Sequence, residues 1–288
     1  MKVSIVTATY NSALTLGDVL VSVLNQTYAD IEYIVVDGAS TDGSVEVIKE
    51  YEKSNLKLET INLQSFVWIS EPDNGIYDAM DKGLKMAKGE YVLMLNSGDF
   101  LIDERVIERI LPELNGTDIV QGNVIEDIAN KRIRNRGYGR SDLSFIDVVD
   151  ANFPHQAMFI KLSTMIQYGY YDASYKKGAD TYFLITALGL GNATYRYVDI
   201  DITNFDVNGI SSMKDPKWRQ IDKEEDARWY GEHISRRLWN LYKTAPKKML
   251  LYDQLHENKF IWKLTMGLVR ISEWLSPKDE NVKIERIK

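Results

Sequence analysis

The chain contains no cysteine in 288 residues, which excludes disulfides, thiolate metal sites and cysteine nucleophiles. No secretory leader is expected either. It begins Met1-Lys2 and reaches polar Thr7, Thr9 and Asn11 before an adequate apolar stretch develops. The longest uncharged run, Thr181 to Tyr195, is too short to span a bilayer and contains Gly189 and Gly191. With neither export signal nor cysteine, the cytoplasm is the expected compartment. Two glycine-rich nucleotide loops are missing as well. No GxGxxG follows the first strand, so a dinucleotide wrapped on the first helix is disfavoured, and no GxxxxGK[ST] occurs, so P-loop chemistry is excluded. There is no internal repeat and no low-complexity tract.

What is present suits an ordinary globular protein of one or two domains. Hydrophobic residues make up 44% and charged residues 27%, and 17 Tyr, 8 Phe and 6 Trp supply ample apolar area for a core. A formal charge of −7 argues against nucleic acid as the ligand. That average hides two regimes. Residues 236–270 carry eight cations against Asp253 and Glu257, a net +6; residues 271–288 balance, which leaves −13 on residues 1–235.

The first hundred residues alternate between strand and helix periods. Val3–Thr9 is β-branched, and Leu16, Val19, Leu20, Val23 and Leu24 form the stripe of a helix that Ser12 is placed to cap. Ile31–Val36 is a second strand ending at Asp37. Ser40 or Thr41 is placed to cap a second helix bearing Val45, Ile48 and Tyr51. Phe66–Ile69 reads as a third strand. A third helix starts near Asp73 or Asn74 and ends with Lys85 and Lys88 before Gly89. Tyr91–Leu95 is apolar throughout, as a central parallel strand requires. The order βαβαβαβ predicts a parallel sheet of the nucleotide-binding type. Beyond it, residues 118–120 and 131–134 read as strands around the polar turn 128–130, His155–Ile160 as a strand and Asp180–Leu190 as a helix. From Gly209 onward the composition shifts to long helical stretches.

Ligands of open parallel sheets bind beyond the carboxyl ends of the strands. Here those ends carry Thr7, Thr9, Tyr10 and Asn11 after strand one, Asp37 after strand two, and Asn96-Ser97-Gly98-Asp99 after strand four. Polar turns are ordinary at strand ends, but three such clusters at equivalent ends point to a binding rim. An isolated Asp37 suits hydrogen bonds from a base or ribose. Asp99 suits a hard cation that also grips phosphate oxygens, since Mg²⁺ commonly binds one or two carboxylates plus substrate phosphates.

On these residues the chain resembles a known family. Ser4–Asn11, Tyr33–Ser44 and Leu95–Asp99 are similar to family 2 glycosyltransferases of the GT-A fold, and Ser70–Gly83 is similar to a subgroup that builds bacterial surface polysaccharides, including colanic-acid-type enzymes. The resemblance covers about residues 1–205. It implies an α/β, Rossmann-like fold with a mixed, mostly parallel sheet flanked by helices, followed by a C-terminal helical extension. The expected division is a catalytic domain over 1–208 and a helical extension over 209–288.

The resemblance also implies roles. Asp37 contacts the base, and Thr7, Thr9, Tyr10 and Asn11 line the nucleoside pocket. Asp73 lies near the uracil, Asn96 and Ser97 belong to the donor site, and Asp99 coordinates a divalent Mg²⁺ or Mn²⁺ on the diphosphate. The family's acidic motif is richer, for two of its Asp positions are Asn96 and Gly98 here. Asp180 by position alone reads as a cap or dipole partner of the helix it begins; the resemblance makes it the catalytic base. His155 with Gln156 reads alone as structural and, by resemblance, contacts the acceptor or diphosphate. His233 and His256 read as surface or packing residues.

The implied reaction is inverting, metal-dependent transfer from a UDP- or GDP-sugar to a glycan or lipid-linked saccharide. A sugar-phosphate nucleotidyltransferase is an alternative, though Thr7–Ser12 lacks the Gly and basic residues expected in its first loop. A non-catalytic nucleotide-sugar-binding subunit is another, motivated by the depleted acidic motif. In the tail, Ile261, Leu264, Leu268, Ile271 and Leu275 form an apolar stripe with Lys259, Lys263 and Arg270 roughly opposite. That stripe packs on protein, including a sister subunit in a homodimer, or lies peripherally on an anionic membrane with Trp262 and Trp274 at the interface.

Overall fold

A computed structural model describes residues 1–55, 63–128, 131–150, 153–205 and 216–234. Met1–Ala227 forms one compact unit and Arg228–Lys288 a second; the architecture below is that of the first. The basic segment 236–270 and the stripe from Ile261 to Leu275 lie outside the described residues.

The first half follows the alternation expected from the periods. β1 (Val3–Thr9) leads to α1 (Leu16–Leu24), β2 (Ile31–Asp37), α2 (Ser44–Asn55), β3 (Leu63–Ser70), α3 (Ile76–Met86) and β4 (Tyr91–Met94). Every residue of β1, β2 and β4 is buried, as their near-continuous apolar runs require of strands covered on both faces. β1 pairs in parallel with β2 and β4, and β2 with β3. The register aligns Thr9 with Asp37 and Asp37 with Ser70, so three polar side chains share one rung at the carboxyl edge.

The second half adds β5 (Phe100–Leu101), α4 (Val106–Ile110), β6 (Ile119–Ile128), β7 (Lys131–Asn135), α5 (Phe145–Asp150), β8 (Met158–Lys161), α6 (Leu162–Tyr168), α7 (Ala179–Leu184) and β9 (Tyr195–Phe205). The strand order is β3-β2-β1-β4-β8-β6-β9-β5, with β7 paired to β6. β8 runs antiparallel to β4 and β6, while β6 and β9 are parallel. The sheet is therefore mixed, parallel over its first four strands, and flanked by helices. Leu16, Leu20 and Val23 of α1, Ile5, Tyr33 and Leu93 of the sheet, and Phe159 of β8 belong to one buried apolar cluster.

Local details differ from the sequence reading. Ser12 begins the turn into α1 through its carbonyl, which accepts from Thr15 and Leu16 N–H, while its hydroxyl turns back to the Tyr10 carbonyl. Neither Ser40 nor Thr41 caps α2; Asp42 does that work, accepting from the N–H and hydroxyl of Ser44 at 3.0 and 2.6 Å. α3 begins at Ile76, with Asp78 reaching back to the Asn74 N–H at 2.9 Å. His155–Ala157 is a 3₁₀ turn rather than the start of a strand, because Pro154 leads into a turn closed by Ala157 N–H on its carbonyl. The stretch expected as one helix from Asp180 is α7 followed by a π-helical turn over Ile185–Leu190.

α8 (Pro216–His233) begins within the first unit and holds the loop that leads into α7. Glu225, buried, accepts from the N–H groups of Lys176 and Lys177 at 2.6 and 2.9 Å. Asp226 accepts from Tyr182 at 2.9 Å, and Asp222 from Lys177 Nζ at 2.6 Å.

Candidate active site

The carboxyl edge of β1, β2 and β4 is cross-tied before any ligand arrives. Asp37 is fully buried. Its Oδ2 accepts from Ser40 N–H at 3.0 Å and Ser70 Oγ at 2.7 Å, and its Oδ1 accepts from Ser40 Oγ at 2.5 Å. Ser40 Oγ in turn accepts from Asn11 N–H at 2.8 Å, and Asn11 Oδ1 from Thr41 N–H at 3.0 Å. Asn11 and Ala39 stand in left-handed backbone at φ 48° and 60°. Asn tolerates that region; Ala39 is strained there and is held by the bonds on either side. Asp37 and Asn11 together therefore hold the loop at residues 40 and 41. A carboxylate accepts about four hydrogen bonds, and three are filled.

Around this frame lie the other residues expected at the donor side. Tyr10 is 63% exposed, at the mouth. Thr9 is buried and its hydroxyl has no partner. A Cβ on Gly38 would stand 2.4 Å from Asp73 Oδ2 and 3.3 Å from the Tyr10 ring, so glycine is needed for these two side chains to close over the β2 turn. Thr7 sits deeper: fully buried, it donates to the Leu95 carbonyl at 2.6 Å and lies 3.1 Å from the Tyr33 hydroxyl. It ties β1 to β2 and the end of β4 beneath the rim.

The turn after β4 faces the second half of the site. Asp99 N–H donates to the Asn96 carbonyl at 3.1 Å, and Gly98 takes φ 103°. That conformation at the third position of such a turn is a glycine conformation, which accounts for Gly98 where the resembling family is acidic. Ser97 donates to Ser12 Oγ at 3.0 Å.

From this turn a chain of polar groups crosses to α7. Asn96 Nδ2 is 3.1 Å from His155 Nε2, His155 Nδ1 is 3.0 Å from Asp180 Oδ2, and Asp180 Oδ1 accepts from the Tyr77 hydroxyl at 2.8 Å. The His155 and Asp180 side chains are 12% and 16% exposed. Burial opposes charge on both, but their mutual contact outweighs it. His155 is raised above the ordinary imidazole value by Asp180 and, further off, Asp99. Asp180 is held below the ordinary carboxylate value by His155, Tyr77 and the Thr181 N–H. With Asn96 donating into Nε2, the neutral imidazole carries its proton on Nδ1 and donates it to Asp180. Asn96 Oδ1 is then buried without a partner. Protonated His155 needs an acceptor at Nε2, and a half-turn of the Asn96 amide supplies that same oxygen. With His155, Tyr77 and the Thr181 N–H accepted, the Asp180 carboxylate keeps one of its about four acceptor positions.

Beside this chain Asp99 is 4% exposed and Gln156 5%. Among the described residues no group of three or more His, Asp or Glu converges on a metal point. The donor set is one buried carboxylate, Asp99, joined while His155 is neutral by the Asn96 amide oxygen in the same turn. Such oxygens fit a hard divalent cation that takes its remaining ligands from phosphates and water.

The structure thus brings Asn96, His155 and Asp180 into one hydrogen-bonded chain, gathers Thr9, Tyr10, Asn11, Asp37 and Asp73 at the other end of the edge, and puts Thr7 underneath. The sequence reading gave Ser40 only a capping role and gave Ser70 and Tyr77 no role of their own within the Ser70–Gly83 resemblance. Ser70 had a signal, as the polar residue directly after the third strand. Nothing paired Tyr77 with Asp180, because it occupies an ordinary buried position of an amphipathic helix.

Comparison with known proteins shows what the chain is similar to. The profile described as Glycosyl transferase family 2 matches residues 4–173. A "PGL/p-HBAD biosynthesis glycosyltransferase" of Mycobacterium bovis (strain BCG / Pasteur 1173P2) is 28% identical over 213 residues, covering 73% of this chain and 78% of that one. A "Putative teichuronic acid biosynthesis glycosyltransferase TuaG" of Bacillus subtilis (strain 168) is 35% identical over 97 residues, 34% of this chain and 36% of that one. Among solved structures, S. aureus TarS 1-349 in complex with UDP-GlcNAc superposes with a TM-score of 0.60 at 17% identity, covering 77% of this chain and 64% of that one. Mannosyltransferase PcManGT from Pyrobaculum calidifontis, in complex with GDP-Man and Mn²⁺, gives 0.56 at 16% identity, covering 81% and 64%. The chain thus spans just under two thirds of either solved structure.

Proposed function

The chain belongs to glycosyl transferase family 2, and from that premise we propose that it moves a sugar from a nucleoside-diphosphate donor to a hydroxyl of a glycan or lipid-linked saccharide, with inversion, in surface-polysaccharide synthesis. The observation that carries this reading is the Asp180 carboxylate, held by His155 and Tyr77 and linked through Asn96 to the turn that bears Asp99.

In this reading the nucleoside lies along Thr9, Tyr10, Asn11, Asp37 and Asp73, and its diphosphate against the Asn96–Asp99 turn. The acceptor hydroxyl hydrogen-bonds to Asp180. As its oxygen bonds to the anomeric carbon, the bond to the diphosphate breaks on the opposite face, and the hydroxyl proton passes to Asp180. A carboxylate of depressed pKa is a weak base toward a resting alcohol. It is adequate once C–O bond formation has made that proton acidic. His155 keeps Asp180 ionised and oriented. A divalent cation held by Asp99 would neutralise the charge that grows on the departing diphosphate. Ser40 and Ser70 keep the nucleoside end ordered in advance, so the donor does not have to organise it.

The biosynthetic roles for which these relatives are named support a surface-glycan acceptor, and the +6 segment 236–270 supports an anionic membrane surface as the place where a lipid-linked acceptor is met. No helix among the described residues is long and apolar enough to cross a membrane.

The test is turnover of a UDP- and GDP-sugar panel, with Mg²⁺ or Mn²⁺, by wild type and Asp180→Asn. Donor consumption by wild type, its loss by about 10²-fold or more in the folded variant, and equal UDP binding by both support the reading. Wild-type turnover by Asp180→Asn removes the base assignment, and tight UDP binding with no turnover on any acceptor makes the chain a binding subunit.

A further inference from the structure

Tyr77 lies in the first turn of α3, 8% exposed, and its hydroxyl makes two contacts on another element. It donates to Asp180 Oδ1 at 2.8 Å and accepts the Gly178 N–H at 3.0 Å. Gly178 is the residue before α7 and takes φ 86°. The first N–H groups of a helix and of the residue that leads into it have no partner within the helix, and Tyr77 satisfies this one. The ring works on the same target. Its edge meets Tyr171 at 6.0 Å and 74°, and Tyr171 meets Phe183 of α7 at 5.7 Å and 86°. One side chain therefore grips the carboxylate, the backbone leading into α7 and, through Tyr171, the face of α7.

The other end of the same turn belongs to the donor side. Gly75, at the start of α3, donates to Asp73 Oδ1 at 2.9 Å, and Asp73 closes over Gly38. Three residues thus separate Asp73, on the nucleoside half, from Tyr77, which touches Asp180. A phenylalanine would fill the same ring volume, so packing alone gives no reason for the hydroxyl. Its two hydrogen bonds are directed at the base and the backbone that carries it.

We infer that Tyr77 is a positioning residue for transfer, fixing Asp180 and the start of α7 in the reactive geometry and tying them to the nucleoside end of the site through the first turn of α3. The inference rests on Asp180 as the base. Displacing a reacting group by about 1 Å costs on the order of 10²-fold in rate, so Tyr77→Phe is expected to lower kcat by about 10- to 100-fold. The donor KM, UDP affinity and melting temperature stay close to wild type, because ring and fold are retained. Loss of a donor to the carboxylate also favours its protonated form, so the acid limb of kcat/KM moves to higher pH.

The experiment is steady-state kinetics of the full chain over a range of pH for wild type, Tyr77→Phe and Asp180→Asn, with UDP binding and thermal melting in parallel. A kcat loss in Tyr77→Phe with the acid limb displaced upward supports the inference. Two results overturn it while leaving Asp180 as the base: wild-type kcat and pH profile in Tyr77→Phe, or a loss of melting temperature and UDP affinity with an unmoved pH profile. Wild-type turnover by Asp180→Asn would instead remove the reading on which it rests.

Discussion

His155 Nδ1 and Asp180 Oδ2 stand 3.0 Å apart, joining the turn before β8 to the first turn of α7 in a pair each of whose members stabilises the other's charge. The same imidazole touches Asn96 at the end of β4. The Asp180 carboxylate and the turn after β4 are therefore one hydrogen-bonded unit.

The pair sets a pH window. His155 is raised from 6.5, so its contribution to stability is complete below about pH 6.5 and is lost as pH rises through the higher folded value. Asp180 is lowered from 3.8, so its contribution is complete above about pH 3.8 and is lost as pH falls through the lower folded value. The melting-temperature difference between wild type and His155→Ala is expected to peak between about pH 4 and 6.5 and shrink on both sides. In the variant, Asp180 loses its main opposing charge and the acid limb of kcat/KM moves upward. Parallel melts and rate profiles over that range test both, and a pH-independent difference would contradict them.

Asp37→Ala removes the acceptor of three hydrogen bonds from Ser40 and Ser70 in a fully buried position. Leaving buried donors unpaired costs about 1–3 kcal/mol. The strained backbone at Ala39 also loses its tether. Denaturant unfolding should show a loss of that order, and UDP titration a weaker affinity even where the protein stays folded.

Gly98→Ala and Asp99→Ala separate turn geometry from charge. An alanine at φ 103° is strained, and the expected cost is about 1 kcal/mol or more in melting experiments. Asp99→Ala keeps the glycine turn and removes the carboxylate. The expected outcome is that Mn²⁺ no longer strengthens UDP binding in calorimetry. An undiminished Mn²⁺ effect would place the cation elsewhere.

Glu225→Ala tests the brace behind α7. The buried carboxylate accepts from the backbone of Lys176 and Lys177, two residues ahead of the turn that presents Asp180. Two unpaired backbone donors predict a loss of about 1–3 kcal/mol. They also predict faster amide exchange at 176–178 and a lower kcat with UDP affinity retained. Exchange measured by mass spectrometry, together with kcat, reads both.

Much of this protein was determined by local sequence. The apolar runs of β1, β2 and β4 and the 3.6-residue stripe of α1 fix a parallel nucleotide-binding half-sheet, because each period buries only one way. Polar residues that break those runs mark the carboxyl edge, so Thr9, Asp37 and Asn96 were legible as rim positions. The residues preferred at turns and caps were less decisive. Ser12, Ser40 and Thr41 all suit a helix start, yet Asp42 took the cap of α2 because Asp37 and Asn11 had claimed the loop before it.

What only the tertiary structure decided is partnership across the chain. His155 meets Asp180 across 25 residues and Tyr77 meets Asp180 across 103. Thr7, equivalent to Thr9 in alternation, is committed to Tyr33 and Leu95 instead of the rim. Sequence periodicity reports which face of an element is buried, and the structure buries Tyr77 in α3. Whether the buried tip meets hydrocarbon or a carboxylate depends on the element packed against it, and that is settled only when distant segments share one site.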